Sequence, residues 1–92
     1  MNHEETIQII DVRQPGELPI ITSNRVQSIP LELLEQHAGN LVSGKPTLLV
    51  CASGTRSIIA AQILAEKFGF TEVRSLVGGA TVLNANLKEE MP

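Results

Sequence analysis

The sequence is poor in aromatic residues, in cysteine and in positive charge, and each shortage makes a class of function improbable on physical grounds. Trp and Tyr are absent and only two Phe occur, so there is almost no aromatic surface on which bases could stack. The formal net charge of −3 also argues against a nucleic-acid partner. The longest apolar run, residues 48–52, is far shorter than the ~20 residues of a membrane span. We expect neither a nucleic-acid nor a membrane partner.

The single cysteine, Cys51, narrows the chemistry further. One cysteine forms neither an intrachain disulfide nor a multi-cysteine metal site. His3 and His37 share no ligand spacing with each other or with Cys51. We therefore predict no metal ion and no cofactor. Residues 1–5 lack the charged-then-apolar pattern of a secretory signal, and the expected location is the cytoplasm.

The order of apolar patterns predicts one α/β domain over residues 1–92. Short runs rich in Ile, Val and Leu predict strands, and segments with helical spacing alternate with them. The predicted strands are residues 7–12, 26–29, 47–50 and 72–76, and the predicted helices are residues 31–37, 58–68 with Gly69 as the C-cap, and 80–89. Such alternation is typical of a three-layer α/β/α fold with a central parallel sheet, here of four to five strands.

Cys51 follows the clearest predicted strand and precedes the clearest predicted helix. Ligands of parallel sheets bind at the carboxyl ends of the strands. The small residues and the glycine of loop 51–57 favour a nest of backbone N–H groups, to which Arg56 adds a full positive charge. Thiols at helix N-termini beside cations ionise with pKa values of ~3.5–7.5, which would make Cys51 a nucleophile. The competing interpretation is a small buried core residue, because Leu48, Leu49 and Val50 precede it.

Three motifs together carry a family resemblance: Asp11-Val12-Arg13, the loop 51–57 (CASGTRS) and Gly78-Gly79. From about residue 7 to residue 87 the chain resembles a single-domain rhodanese, a sulfurtransferase. The resemblance implies a rhodanese-like fold in which Cys51 is the catalytic residue and carries sulfane sulfur as a persulfide. The substrate-binding residues that it implies are Ala52, Ser53, Gly54, Thr55 and Arg56, with Asp11, Arg13 and Ser57 in supporting roles.

The loop length separates sulfur transfer from phosphate chemistry. Cysteine-dependent phosphatases use Cys-x5-Arg, whereas Cys51 and Arg56 are spaced as Cys-x4-Arg, a smaller cradle suited to one sulfur atom. The expected donor is thiosulfate or a persulfide-bearing protein, and the expected acceptor is a thiol, cyanide or a sulfur-carrier protein. Family members commonly have a basic residue after the cysteine, where Ala52 stands, so we expect weak use of thiosulfate.

Two alternatives remain at this level. The chain could be a sulfur-relay domain from the C-terminus of an adenylyltransferase that activates sulfur carriers, or a non-catalytic binding module that keeps the fold only. The N-terminal helix and edge strand that often precede the Asp-Val-Arg motif have little sequence to form them. For Arg13 and Glu17, the alternative to a role in the site is an exposed ion pair with each other. For Ser53, Thr55 and Ser57, capping the helix is the alternative to binding the sulfur.

Overall fold

A computed structural model describes residues 7–52, 55–76 and 78–90. Its sheet contains four strands in the order β2-β1-β3-β4, and every neighbouring pair is parallel. The strands are β1 (Gln8–Asp11), β2 (Val26–Ser28), β3 (Thr47–Val50) and β4 (Val73–Ser75). The prediction of a parallel sheet of four to five strands is thus confirmed, with β1, β2 and β4 somewhat shorter than the apolar runs that predicted them.

Three α-helices of the described ranges connect or follow the strands. They are α1 (Leu34–His37), α2 (Thr55–Phe68) and α3 (Gly79–Glu90). The predicted helix over residues 31–37 is divided, because Leu31–Leu33 forms a 3-10 turn before α1, and a second such turn, Ala38–Asn40, follows it. Gly69 ends α2 with φ +73°, a backbone conformation that glycine adopts without steric cost, as the sequence predicts.

The two faces of the sheet bury separate apolar clusters, because successive side chains along a strand point to opposite faces. Ile10 of β1 and Leu49 of β3 pack with Leu64 of α2 on one face. Ile9 and Val50, one residue along each strand, pack with Ala80 and Leu83 of α3 on the other. The fold therefore has three layers, with the sheet in the middle. Each fully buried Leu, Ile or Val contributes roughly 1.5–3 kcal/mol relative to an exposed one.

The buried face of α2 begins with a polar residue. Ser57, Ala60 and Leu64 are buried and lie on one side of the helix, whereas Ile58 and Ile59 are 52% and 42% exposed. The hydroxyl group of Ser57 is thereby carried into the interior, under the end of β3.

Residues 1–6, the segment in which an N-terminal helix or edge strand would have to form, lie outside the described residues. Within the described ranges, no helix is both long and apolar enough to span a membrane. The same ranges contain no cluster of three or more His, Cys, Asp or Glu side chains arranged to bind a metal ion.

Candidate active site

Cys51 lies directly after β3, at the carboxyl end of the sheet, and its side chain is fully buried. The backbone N–H of Ser57, in the first turn of α2, donates to Cys51 Sγ across 3.3 Å. The Cys51 thiol in turn lies 3.3 Å from Ser57 Oγ and donates to it. A backbone N–H group in the first turn of a helix favours negative charge on the atom that it contacts. The sulfur is therefore placed where a thiolate is stabilised, although its burial opposes ionisation.

Ser57 extends this contact to the neighbouring strand. Its Oγ is hydrogen-bonded to Oγ of Ser75, the last residue of β4. Sequence reasoning missed Ser75, although its position was informative: it lies at the carboxyl end of a predicted strand, the edge where parallel strands present functional side chains. The three groups form a continuous chain from Cys51 Sγ through Ser57 to Ser75.

The guanidinium group of Arg56 forms an ion pair with the carboxylate of Glu17. Its Nη1 donates to Glu17 Oε2 across 2.7 Å, and its Nη2 donates to Oε1 across 2.8 Å. These hydrogen bonds from Arg56, together with one from the backbone N–H of Gln14, lower the pKa of Glu17 to about 2. The pKa of Arg56 is raised, first by its hydrogen bonds to Glu17 and to a smaller extent by the Cys51 thiolate when that group is ionised. Arg56 is therefore an electrostatic neighbour of the cysteine as well as a partner of Glu17.

Arg13 is buried against Asp11 and not exposed beside the carboxylate of Glu17. Its Nε donates to Asp11 Oδ1 and its Nη2 to Oδ2, each across 2.9 Å, and this contact is the main reason that the pKa of Arg13 is raised. The alternative of an exposed Arg13–Glu17 pair is wrong, because Arg13 reaches only the backbone carbonyl of Glu17, across 3.3 Å. A further hydrogen bond of 3.0 Å, from Nη2 to the carbonyl of Pro19, holds the loop after β1.

The double glycine permits α3 to begin against the cysteine. Ala80 N–H donates to the Cys51 carbonyl across 3.0 Å. Gly79 has φ +61°, and a Cβ atom there would overlap the Cys51 carbonyl oxygen and lie 2.8 Å from that of Ala52. Only glycine allows this approach, so Gly79 has a direct role in supporting the backbone at Cys51.

The remaining predicted site residues are placed as follows. Ala52 is exposed after Cys51, and Thr55 is exposed at the first position of α2. Ser53 and Gly54 lie outside the described residues. The structure thus brings Cys51 and Ser57 into contact and places the Arg56–Glu17 pair next to Ser57. The Asp11–Arg13 pair lies at the end of β1, whose last residue pairs with Val50 of β3.

The motifs and their arrangement agree with a family-level comparison. The family described as the rhodanese-like domain matches residues 1–86. The chain belongs to the rhodanese-like domain family. Its parallel sheet between two helical layers also resembles a solved structure, the NAD-dependent persulfide reductase from A. fulgidus, with a TM-score of 0.71 and 37% identity over 82% of this chain and 13% of that protein.

Two relatives from Bacillus subtilis (strain 168) match this rhodanese-like domain. One is YqhL, a protein of uncharacterized function, which is 40% identical over 72 residues. The other is YrkF, provisionally named a sulfur carrier protein, which is 33% identical over 79 residues. The matches cover 78% and 86% of this chain but only 56% and 42% of the relatives, so the chain spans about half the length of these proteins.

Proposed function

We propose that this rhodanese-like domain is a sulfurtransferase in which Cys51 accepts a sulfane sulfur, carries it as a persulfide and passes it to a second nucleophile. The observation that carries this proposal is the hydrogen bond from Ser57 N–H to Cys51 Sγ at the carboxyl end of β3. A thiolate is the reactive form of cysteine, and that N–H group, at the start of a 14-residue helix, stabilises negative charge on sulfur.

Each of the other site residues receives a role in this proposal. The family resemblance assigns the binding of the transferred sulfur to the backbone N–H groups of Ala52, Thr55 and Arg56, together with those of Ser53 and Gly54, which lie outside the described residues. Ser57 orients the sulfur of Cys51. The Asp11–Arg13 pair fixes the loop after β1. No metal or cofactor takes part, since the transfer involves only nucleophilic attack on sulfur. The acceptor is a thiol, cyanide or a sulfur-carrier protein, and a reducing cytoplasm would keep Cys51 free to react.

The test is intact-mass analysis after incubation with a sulfur donor, either cysteine persulfide or thiosulfate. Because the chain contains one cysteine, a gain of one sulfur atom that is absent from the Cys51→Ser variant assigns the persulfide to Cys51. Cyanide should then remove the sulfur as thiocyanate. If neither donor adds sulfur to the folded protein, the sulfurtransferase proposal is wrong.

A second candidate is a sulfur relay within a larger protein. It is favoured because the chain spans only about half of each Bacillus protein and 13% of the persulfide reductase. An adenylyltransferase that activates sulfur carriers is one such setting. In that setting, sulfur loaded on Cys51 would pass to a sulfur carrier whose C-terminal carboxylate is activated as an acyl-adenylate. Transfer to that acceptor, without transfer to cyanide or small thiols, would favour the relay.

A third candidate, a non-catalytic binding module, is favoured by the complete burial of Cys51. The same mass measurement decides it, because a core cysteine that only fills space would stay unmodified in the folded protein.

A further inference from the structure

Arg56, which carries the positive charge of the loop, is already paired with a carboxylate in this structure. Both terminal nitrogens of Arg56 bind the two carboxylate oxygens of Glu17 at 2.7 and 2.8 Å. The two side chains are 33% and 28% exposed, so the pair lies at the surface beside the loop. An anionic donor that needed Arg56 would have to displace a carboxylate bound through two parallel hydrogen bonds, which is the strong arrangement for arginine.

Glu17 is held in position by more than Arg56. The backbone N–H of Gln14 donates to Glu17 Oε2 across 2.7 Å, and Arg13, itself buried against Asp11, donates to the Glu17 carbonyl. With its pKa lowered to about 2, Glu17 stays ionised at every pH at which the protein would work. Glu17 is therefore a fixed negative charge at the loop and not a mobile surface acid.

The cluster connected to Arg56 carries a net negative charge. Gln14 Nε2 donates to both carboxylate oxygens of Glu32 across 2.7 Å, which adds an acid to the two ion pairs. The linked groups are three carboxylates and two guanidinium groups, namely Asp11, Glu17, Glu32, Arg13 and Arg56. The net charge of this cluster is therefore −1 before Cys51 ionises. Ala52, the residue after Cys51, adds no positive charge beside the sulfur.

We infer that Glu17 is a specificity-determining residue that keeps Arg56 from a dianionic donor, so that the site takes sulfur from an alkyl persulfide in preference to thiosulfate. This inference rests on the proposed sulfurtransferase function and names its donor class. A persulfide, R–S–S⁻, brings one negative charge, whereas thiosulfate brings two into a region that is already negative. The repulsion is correspondingly larger for thiosulfate.

The transfer step balances without any further reactant. The Cys51 thiolate attacks the outer sulfur of R–S–S⁻ and forms a new S–S bond. The original S–S bond breaks, and its electron pair leaves with the thiolate R–S⁻, which takes up a proton from water according to its pKa. Cys51 then carries the persulfide, with no net oxidation or reduction.

The experiment compares kcat/KM for cysteine persulfide and for thiosulfate in the parent protein and in Glu17→Gln, which removes the charge and keeps the size. We expect Glu17→Gln to raise kcat/KM for thiosulfate by about fivefold or more at low salt. The value for cysteine persulfide should change by less than about twofold. The difference in kcat/KM for thiosulfate between Glu17→Gln and the parent should become smaller as salt is added, because salt screens exposed charges.

Glu35→Gln is the matched control. Glu35 is an exposed carboxylate that pairs with Lys67 across 3.1 Å. Lys67 lies in the last turn of α2, roughly 16 Å along the helix from Arg56. Its replacement removes the same charge from the chain and should leave both donor reactions unchanged. Selectivity that changes equally in both variants would show an effect of overall charge and overturn the inference.

The outcomes distinguish this inference from the function on which it rests. If Glu17→Gln leaves the thiosulfate value unchanged or lowers it while persulfide loading persists, Glu17 only positions Arg56 and the inference is wrong. If the parent loads sulfur from neither donor, the sulfurtransferase proposal fails first. The parent alone gives a further check should the variant not fold: its kcat/KM for thiosulfate should rise with added salt, and a fall would overturn the inference.

Discussion

At the scale of single residues, Ser57 connects the sulfur of Cys51 to the neighbouring strand through its hydroxyl group. We expect Ser57→Ala to keep the backbone N–H contact and to lose the hydroxyl contacts. The variant should lose about 1–2 kcal/mol of stability, since the hydroxyl of Ser75 loses its partner, and sulfur loading should slow several-fold. Urea unfolding and loading kinetics measure the two effects. Ser75→Ala is the control, because it removes the outer hydroxyl only; if the two variants load sulfur equally slowly, Ser57 has no direct role at the sulfur.

Glu17 gives a prediction about acid. Its pKa in the folded state, about 2, lies below the ordinary value of 4.5, so the ionised carboxylate stabilises the folded state. That contribution is complete above about pH 5 and is lost as the pH falls from about 4.5 towards 2. The parent protein should therefore be more stable than Glu17→Gln at pH 7, and the difference should decrease at pH 4 and again at pH 3. Urea unfolding at these pH values measures it, and a difference that is constant with pH would contradict the ion pair.

At the scale of the secondary-structure elements, the start of α3 is fixed by the close approach of Gly79 to the carbonyl groups of Cys51 and Ala52. We expect Gly79→Ala to destabilise the fold and to slow sulfur loading, because the Cys51 backbone has to move. Gly69→Ala is a matched control: Gly69 also has a positive φ, +73°, but open space around a Cβ atom.

The comparison separates backbone conformation from steric overlap. The control should cost about 1–2 kcal/mol, the penalty of a left-handed conformation alone. Gly79→Ala should cost about 1–3 kcal/mol more, as overpacked sites do. Thermal or urea unfolding of both variants gives these values. Equal losses of stability would mean that α3 shifts freely away from Cys51.

The order of the strands and helices could be predicted from the sequence because local patterns of apolar residues and glycine determine it. Buried parallel strands consist of short apolar runs, and Gly69 marks a helix end, so the order of strands and helices could be predicted together with the position of Cys51. The burial of Ser57 was not expected, since the apolar pattern of α2 draws attention to Ile58 and Ile59, which are exposed. A polar residue becomes buried there because Cys51, directly after β3, and Ser75, the last residue of β4, satisfy its hydrogen bonds.

The ion pairs of the site were harder to predict. Glu17 and Arg56 are 39 residues apart, and their contact depends on how the loop after β1 folds back over the start of α2. Sequence proximity instead favours Arg13 as the partner of Glu17. Asp11 prevents this, because it binds Arg13 in the interior through both of its carboxylate oxygens. Which carboxylate each arginine binds depends on the three-dimensional arrangement of these side chains, and their spacing along the chain does not reveal it.

At the scale of the whole molecule, the burial of Cys51 raises the question of how a donor reaches the sulfur. We expect a local opening around Cys51, without global unfolding. Leu64→Ala tests this, because Leu64 is fully buried on α2, about 10 Å along the helix from Ser57. The substitution should lower the free energy of unfolding by about 2–5 kcal/mol.

The rate of Cys51 loading by cysteine persulfide distinguishes the two routes. With local opening, Leu64→Ala should change the rate by less than about twofold, since Leu64 lies about two helical turns from the Ser57–Cys51 contact. If access required global unfolding, a loss of 2 kcal/mol would raise the rate by about 30-fold. Loading kinetics of parent and variant, each well below its unfolding transition, make the comparison.

The order of the strands in the sheet also sets the timing of folding during synthesis. β1 lies in the middle of the sheet, and Gln8 pairs with Thr47, 39 residues later. At a translation rate of about 5–20 residues per second, the partner strand follows β1 by roughly 2–8 s. Small α/β domains complete folding much faster than that once the chain is available. The time for which Ile9 and Ile10 remain without their β3 neighbours is therefore set by the ribosome and not by the rate of strand pairing.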